Sequence, residues 1–284
     1  MTTDEGLDAG AINARRPSDA TVSVVIGSYN RRFYLRCTIE SIRRELQTTP
    51  HEIIVVDGGS SDGSLRWLVE QKDVITIVQH NRGSWNGRPI ERRSWGYFMN
   101  LGFRAASAPY VCMLSDDCLV VPGAITNGIA RLQLARASNE NVGAVAFYWR
   151  NWPDRKRYWV GKTFGDRLFV NHGLYTKAAL EAVGYIDETT FHFYHADGDL
   201  CLRMWEKGFT CVDGPDSYIE HRTHANRRVR ASNDEKQQHD WNAYQRRWQN
   251  LGVPAQDWIE KDFDDPARTA RRYWRRGLRR LLPG

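Results

Sequence analysis

The fold is decided by the stretch Thr21-Val-Ser-Val-Val-Ile26, a run of strand-forming residues that ends at Gly27. Apolar residues then recur at helical spacing, at Leu35, Ile39, Ile42 and Leu46. A second run of the same kind, His51-Glu-Ile-Ile-Val-Val56, ends at Asp57. Near-continuous apolar runs of this length are typical of strands buried on both faces, so the segment predicts a β-α-β unit.

The same alternation continues up to residue 114. Helical patterns extend from Ser64 to Gln71 and from about Glu91 to Ala106, and apolar runs follow them at Val74 to Val78 and at Tyr110 to Leu114. Alternating strands and helices predict an α/β fold with a mostly parallel sheet and helices on both of its faces.

Beyond Pro122 the pattern is looser. It indicates a strand near Val142 to Tyr148, a helix from about Asp199 and a short strand from Ser217 to Glu220. No repeat or low-complexity linker separates this part from the first, so we expect the two halves to share one continuous sheet.

Composition and charge restrict the class of protein. Hydrophobic residues make up 41% and charged residues 26% of the 284 residues, ordinary values for a globular protein, which exclude disorder throughout. The net charge of +6 comes from the C-terminus. Residues 267–284 carry seven Arg and no acidic residue, and the residues before them have a net charge of about −1. An enzyme that works on nucleic acid usually spreads Lys and Arg over a face of its fold. The distribution therefore disfavours a nucleic-acid partner and indicates a basic tail.

The cysteines and the N-terminus indicate the compartment. The five cysteines form an odd number without a C-x-x-C pair, unlike a disulfide framework, and we expect them to be reduced. Residues 1–20 lack the apolar core of a signal peptide, and no later apolar run approaches the roughly 18 residues of a membrane span. We therefore expect a cytoplasmic protein with a disordered leader over residues 1–20.

Polar residues follow the predicted strands selectively. The strand ends read Gly27-Ser-Tyr-Asn30, Asp57-Gly-Gly-Ser-Ser-Asp-Gly63, Asn81-Arg-Gly83 and Ser115-Asp-Asp117. In open parallel sheets, ligands bind beyond the carboxyl ends of the strands, so we expect these residues to line one crevice. The sequence has neither the G-x-G-x-x-G pattern of a dinucleotide site nor a P-loop.

Several carboxylates at these strand ends have two interpretations. Asp116 and Asp117 offer two hard oxygen donors that suit Mg²⁺ or Mn²⁺, although acidic pairs after strands are also common in turns. Asp57 lies among glycines that favour a turn, but a lone carboxylate at a strand end can also accept hydrogen bonds from a ligand.

The second half offers two further groups. Asp197 precedes a predicted helix for which Asp199 is the natural cap, so Asp197 is either another capping residue or a general base that faces the crevice. His221 and His224 follow the last predicted strand. Such histidines are more often structural, yet one of them could complete a divalent site with Asp117.

Together these segments resemble the family 2 glycosyltransferases of GT-A fold. The resemblance is carried by Val22-Ser-Val-Val-Ile-Gly-Ser-Tyr-Asn-Arg31, Glu52-Ile-Ile-Val-Val-Asp-Gly-Gly-Ser-Ser-Asp-Gly63, Leu114-Ser-Asp-Asp117, and Asp197-Gly-Asp-Leu-Cys-Leu-Arg203 with Gly208. It covers residues 21–225 and implies a nucleotide-sugar-binding half over 21–121 and an acceptor-binding half over 122–225.

The resemblance also implies roles for single residues. Ser28, Tyr29 and Asp57 would hold the base of a nucleoside-diphosphate sugar of UDP or dTDP type, and Asp116 its ribose. Asp117 would bind a Mn²⁺ or Mg²⁺ ion at the diphosphate, and His221 or His224 would supply a further metal contact. Asp197 takes the place of the family's catalytic base.

Hexosyl transfer with inversion needs a base on the acceptor side and neutralisation of charge on the leaving side, where Arg82, or Arg227 and Arg228, would assist the metal. Two positions depart from the family pattern. Ala196 stands where an acidic residue commonly precedes the base, and Ser115 begins the motif that often has three acids.

Residues 226–284 are expected to form a helical extension. On a helix, residues 268–282 place apolar side chains on one side and most of the seven Arg on the other. Such a helix either lies on an anionic inner-membrane surface, which would suit a lipid-linked rather than a free sugar acceptor, or packs on the catalytic domain. The alternatives to a transferase are a non-catalytic nucleotide- or sugar-binding protein and, less favoured, a nucleic-acid-binding protein that uses the tail.

Overall fold

The structure, a computed structural model, describes residues 19–152, 156–222, 231 and 233–261. Its first half alternates strands and helices as predicted. The elements are β1 (Val22–Ser28), α1 (Arg32–Glu45), β2 (His51–Asp57), α2 (Ser64–Glu70), β3 (Val74–Val78), β4 (Ser84–Trp85), β5 (Arg88–Pro89), α3 (Trp95–Ala105), β6 (Tyr110–Ser115), β7 (Cys118–Val120) and α4 (Ala124–Ala137).

The second half is richer in strands. Its elements are β8 (Val142–Asn151), β9 (Tyr158–Thr163), β10 (Arg167–Leu168), β11 (Gly173–Thr176), α5 (Lys177–Ala182), α6 (Ala196–Glu206), β12 (Thr210–His221), α7 (Gln237–Trp248) and β13 (Trp258–Lys261).

One sheet of eleven strands passes through both halves. Its main path has the order β10-β9-β8-β11-β6-β1-β2-β3, and β7, β12 and β13 pair beside that path. β1 lies between β2 and β6 and is parallel to both, and β2 is parallel to β3. β11 pairs antiparallel with β6 and carries the sheet into the second half. The prediction of an α/β fold with one shared sheet is therefore confirmed.

Helices cover both faces of this sheet. Val22, Val24 and Ile26 of β1 belong to one apolar core, together with residues of α1 and α4. Val25, which points to the opposite face, belongs to a second core with residues of α3, α6 and α7. The burial of β1 on both faces explains why its sequence is almost continuously apolar.

Several element boundaries differ from the prediction, among them the starts of α6 and β12. α6 begins at Ala196 because His195 takes a φ of 63° and occupies the N-cap position, so Asp199 lies inside the first turn and is not the cap. β12 begins at Thr210, well before the predicted strand, and its pairing with β8 shifts register between Gly214 and Tyr218.

Some predictions fall on residues that the structure does not describe. These are the leader up to residue 18, His224, Arg227, Arg228 and the basic tail at 268–282. The five cysteines are described, and all are buried and free. Among the described helices, none combines the length and the apolar character needed to span a bilayer.

α3 lies close to the sheet at Gly102, which gives a test of the packing. A Cβ atom there would lie 2.3 Å from Val25 Cγ1 and 3.2 Å from Val56 Cγ2, and both valines are fully buried. We expect Gly102→Ala to lower the free energy of unfolding by about 1–3 kcal/mol in urea denaturation, because the strands cannot move aside. Gln133→Ala, at an exposed position of α4, is the control and should change it by less than about 0.5 kcal/mol. Equal effects in the two variants would contradict the close approach.

Candidate active site

A cavity of about 420 Å³ lies at the carboxyl edge of the parallel strands. Its wall combines the ends of β1 and β6 with the segment between β3 and α3, with His192 and Phe193, and with Asn233 and Lys236. Four of the predicted donor-binding residues line it: Ser28, Tyr29, Arg82 and Asp116. The structure thus brings most of the predicted donor residues to one place.

Tyr29 and Arg82 form a stacked pair on this wall. The guanidinium carbon of Arg82 lies 5.2 Å from the centre of the Tyr29 ring. A Cβ atom at Gly58 would lie 3.1 Å from Cδ2 of Tyr29, so the ring also rests against the backbone that follows β2. An aromatic ring stacked with a guanidinium presents a flat surface that suits another planar group.

Asp57 is fully buried, and its own loop holds its carboxylate. Oδ1 accepts hydrogen bonds from the backbone N–H groups of Gly59 (2.8 Å) and Ser60 (2.7 Å), and Oδ2 accepts one from the Ser60 hydroxyl (2.7 Å). Burial raises the pKa of Asp57 more than these hydrogen bonds lower it. The turn that the glycines predicted is present, and base binding by Asp57 stays a prediction.

Asp116 and Asp117 are adjacent buried carboxylates that follow β6. Arg31 bridges them, because its Nη1 lies 3.0 Å from Asp116 Oδ1 and 2.8 Å from Asp117 Oδ2. Burial raises the pKa of Asp116 to about 6, against the opposing effect of Arg31. Burial also acts to raise the pKa of Asp117, but His221 and Arg31 outweigh it and hold this pKa below its usual range. Asp117 therefore stays ionised at a lower pH than Asp116 does.

The surroundings of Asp117 fit a divalent cation. His221 Nε2 lies 3.2 Å from Asp117 Oδ1, although the pair lacks hydrogen-bond geometry. Asp117 Oδ1 and His221 Nδ1 are both buried and make no hydrogen bond within the part of the chain that the structure describes. A carboxylate oxygen and an imidazole so close together, each with an unsatisfied buried atom, are suitable metal ligands. Of the two predicted histidines, the structure places His221 here.

Asp197 lies in the first turn of α6. Its Oδ2 accepts a hydrogen bond from Nδ2 of Asn171 at 3.2 Å, and Asn171 itself lines the cavity. Its Oδ1 accepts a hydrogen bond from the backbone N–H of Gly198 at 2.9 Å. Burial raises the pKa of Asp197, although these donors and His195 oppose the rise. A carboxylate with a raised pKa is better matched to accepting a proton near neutral pH.

α7 holds the backbone that precedes Asp197. The carboxylate of Asp240 accepts hydrogen bonds from the backbone N–H groups of residues 192–194, at 2.8–3.0 Å. Arg247 and Trp248 donate to Oδ1 of Asp199, at 2.8 and 3.0 Å. The segment beyond residue 226 therefore contains a helix that packs into the catalytic core, while the domain boundary at 225/226 stays a prediction.

Sequence reasoning assigned no role to four residues at this site: Arg31, Asn171, His172 and Asp240. Arg31 carried a usable signal, since it ends the first quoted motif and follows β1, which pairs with β6 ahead of the acidic residues. The other three have partners far along the chain and lie outside any predicted motif.

A parallel half-sheet with an acidic pair at its carboxyl edge, continued by antiparallel strands, is the GT-A arrangement of glycosyltransferases. The model of the family Glycosyl transferase family 2 matches residues 23–184, more than half of the chain, and the protein belongs to that family. The uncharacterised glycosyltransferase YwdF of Bacillus subtilis is 26% identical over 193 residues, which cover 64% of this chain and 67% of YwdF.

Solved structures share the fold at lower identity. The mannosyltransferase PcManGT from Pyrobaculum calidifontis, in complex with GDP-Man and Mn²⁺, has a TM-score of 0.58 and 17% identity over 84% of this chain and 70% of that chain. TarS of S. aureus has a TM-score of 0.54 and 14% identity over 72% of this chain, but the match spans only 37% of TarS. TarS 1–349 in complex with UDP-GlcNAc has a TM-score of 0.50 and 15% identity, over 72% of this chain and 59% of that chain.

The raised pKa of Asp116 gives a test of its burial. Between the ordinary carboxyl pKa near 4 and about pH 6, folded Asp116 keeps a proton that the unfolded chain has lost, so its contribution to stability falls as the pH rises through this range. We expect Asp116→Asn, which cannot ionise, to gain up to about 3 kcal/mol relative to wild type between pH 4 and pH 7 in urea denaturation.

Asp73→Asn is the matched control for this measurement. The pKa of Asp73 is lowered, mainly by its hydrogen bonds from Arg43, so its contribution to stability is complete above the ordinary carboxyl pKa near 4, and the difference between this variant and wild type should stay nearly constant from pH 4 to pH 7. A pH-independent difference for Asp116→Asn would contradict a raised pKa at this site.

Proposed function

We propose that the protein is a metal-dependent, inverting hexosyltransferase that moves a sugar from a nucleoside-diphosphate sugar to an acceptor hydroxyl. One observation carries the proposal: a carboxylate of the adjacent acidic pair lines a cavity, and a further carboxylate is hydrogen-bonded to a residue of the cavity wall. Asp116, adjacent to Asp117, lines the cavity, and Asn171 links the cavity wall to the carboxylate of Asp197. Displacement at an anomeric carbon needs one end that stabilises negative charge and another that accepts a proton.

Donor binding is assigned to the first half of the chain. Tyr29 and Arg82 offer a flat surface for the base, with Ser28 beside them, and the Asp116 carboxylate would accept hydrogen bonds from the ribose hydroxyls. Asp57 keeps its proposed place at the base, where its hydrogen bonds also hold the loop next to Tyr29. The nucleotide-sugar complexes of TarS and PcManGT support a nucleoside-diphosphate donor, and UDP or dTDP is the type that we propose.

Asp117 and His221 would hold the divalent cation, Mn²⁺ or Mg²⁺, which when bound supplies positive charge to the diphosphate. The Mn²⁺ complex of PcManGT supports this assignment. Arg31 and Arg82, which both line the cavity, add fixed positive charge that would favour departure of the nucleoside diphosphate.

Asp197 would take the proton from the acceptor hydroxyl as the new glycosidic bond forms. Asn171 and the Gly198 N–H each hold one oxygen of the carboxylate, which fixes its orientation. The reaction would be a single in-line displacement without a covalent intermediate, so the sugar would change its anomeric configuration.

The acceptor is proposed to be a sugar or a lipid-linked sugar, and the enzyme to be cytoplasmic. Contact of residues 268–282 with an anionic membrane would bring such an acceptor within reach, but these residues lie outside the described part of the chain. A protein that binds nucleotide sugars without transferring them is the second candidate, and turnover separates it from the first.

Removal of the proposed metal ligand tests the donor site. We expect Asp117→Ala to weaken Mn²⁺-dependent binding of UDP at least about 100-fold in titration calorimetry, because a carboxylate ligand is lost from the cation. Asp73→Ala, which removes a carboxylate that pairs with Arg43 at the surface, is the control and should bind like wild type. Unchanged affinity in Asp117→Ala would remove this residue from the metal site, and the same titrations with dTDP and GDP identify the base.

Replacement of the proposed base tests the chemistry. We expect Asp197→Asn to bind donor normally but to lose about 10²- to 10⁴-fold in kcat, because an amide keeps the shape of the carboxylate and cannot take the proton. Asp216→Asn, at an exposed position of β12, should keep the wild-type rate. A panel of nucleotide sugars and acceptors finds the substrate, and NMR of the product reports its anomeric configuration. Turnover near the wild-type rate in Asp197→Asn would exclude it as the base.

A further inference from the structure

A thiol and two imidazoles meet beside Asp117, and the mechanism proposed above uses only one of them. Cys118 in β7, His172 just before β11 and His221 at the end of β12 each place a ligand atom within 4.8 Å of the other two. Cys118 and His221 face each other in the antiparallel pairing of β7 with β12. The three residues are called the thiol–imidazole cluster below.

Polar atoms of this cluster are buried without adequate partners. His172 is only 1% exposed, and the contact that the structure shows for its ring nitrogens is the Cys118 sulfur, 3.8 Å from both. Sulfur is a weak hydrogen-bond partner, especially at this distance. His221 Nδ1 and Asp117 Oδ1 are also buried without a hydrogen bond. An unsatisfied buried polar group destabilises the fold, so several together at one place require an explanation.

The wall around the cluster fixes the imidazoles. Trp149 meets both rings edge to face, with ring centres 5.8 Å from His172 and 5.4 Å from His221. The centre of the Trp149 ring lies 3.9 Å from that of the Trp159 ring, so Trp159 in turn restrains Trp149. An apolar wall of this kind limits the access of water and strengthens any bond to a cation.

We propose that Cys118, His172 and His221 form a three-donor metal site that prefers Zn²⁺ or Co²⁺ to Mg²⁺ and Mn²⁺, with the Asp117 carboxylate, 3.2 Å from His221 Nε2, as the nearest candidate for the fourth position. Thiolate and imidazole are ligands that suit such metals, whereas Mg²⁺ and Mn²⁺ prefer oxygen. The Cys118 thiol gives its proton to solvent as the metal–sulfur bond forms. Ligand atoms around tetrahedral zinc lie about 3.3–3.8 Å apart, and the Cys118 sulfur already lies 3.8 Å from the His172 ring nitrogens, so the cluster needs to close by no more than about 1.5 Å on binding.

This inference deepens the proposed function, because Asp117 and His221 also belong to the metal site proposed there. It identifies Cys118 and His172 as further ligands and makes the protein able to hold a metal before a nucleotide is bound. Mn²⁺ would still bind through carboxylate and imidazole, but more weakly.

The test uses the full chain, stripped of metal with a chelator, and Co²⁺ alone as the probe. We expect a thiolate-to-cobalt charge-transfer band in the near ultraviolet and the visible bands of four-coordinate Co²⁺. Cys118→Ser should lose the charge-transfer band, and His172→Gln should weaken Co²⁺ binding about 10- to 100-fold. Cys211→Ser is the control. Cys211 lies beside Cys201 and does not belong to the thiol–imidazole cluster, so this variant should leave the band unchanged.

Competition on the wild-type chain keeps the test independent of how the variants fold. Zn²⁺ should displace Co²⁺ at equimolar concentration, whereas Mg²⁺ and Mn²⁺ should need a large excess. Co²⁺ binding without a charge-transfer band, a band that survives in Cys118→Ser, or equal affinities for Zn²⁺ and Mn²⁺ would overturn the proposal. The band needs no nucleotide, so a chain that shows it but binds no nucleoside diphosphate would refute the proposed function and leave this inference standing.

Discussion

Two adjacent carboxylates are buried where β6 ends, and the residues around them must offset the free-energy cost of burying two acidic groups. An ionised carboxylate loses its hydration when it is buried, and a nearby cation or several hydrogen bonds must replace it. Arg31 supplies the cation from the loop after β1, and His221 approaches from the end of β12. Strands of both halves must be in place before the pair is compensated, so the acidic site depends on the continuity of the sheet.

The surroundings of Asp197 follow the opposite principle. The partners that hold the carboxylate of Asp197 are neutral donors, Asn171 and the Gly198 N–H, while Asp117 lies against Arg31 and an imidazole. The pKa of Asp117 is consequently lowered and that of Asp197 raised. A carboxylate that stays ionised is suited to hold a cation, and one with a raised pKa is suited to accept a proton. Environments that separate two carboxylates in this way are a common basis for dividing roles in an active site.

How much of this the sequence predicts depends on whether the signal is local. The strands that end at Ser28 and Asp116 are predictable, because their apolar runs are continuous and parallel strands end at one edge. The start of α6 is not, because His195 at a positive φ stands where most helices have Ser, Thr, Asp or Asn. Asp199 looks like a cap in the sequence, yet its partner Arg247 lies 48 residues away. His172 belongs to no motif in the sequence, and only the pairing of distant strands brings it close to Asp117.

The contacts of Asp240 with residues 192–194 also constrain the order in which segments of the chain can pack during synthesis. Segments leave the ribosome from the N-terminus onwards, and each part of a domain folds when its partners are available. The parallel strands β1, β2, β3 and β6 are complete by residue 115 and can pair early. The backbone before α6 must wait for a carboxylate that is made 48 residues after His192. A nascent chain that has reached α6 but not α7 therefore lacks the carboxylate that anchors the backbone of residues 192–194.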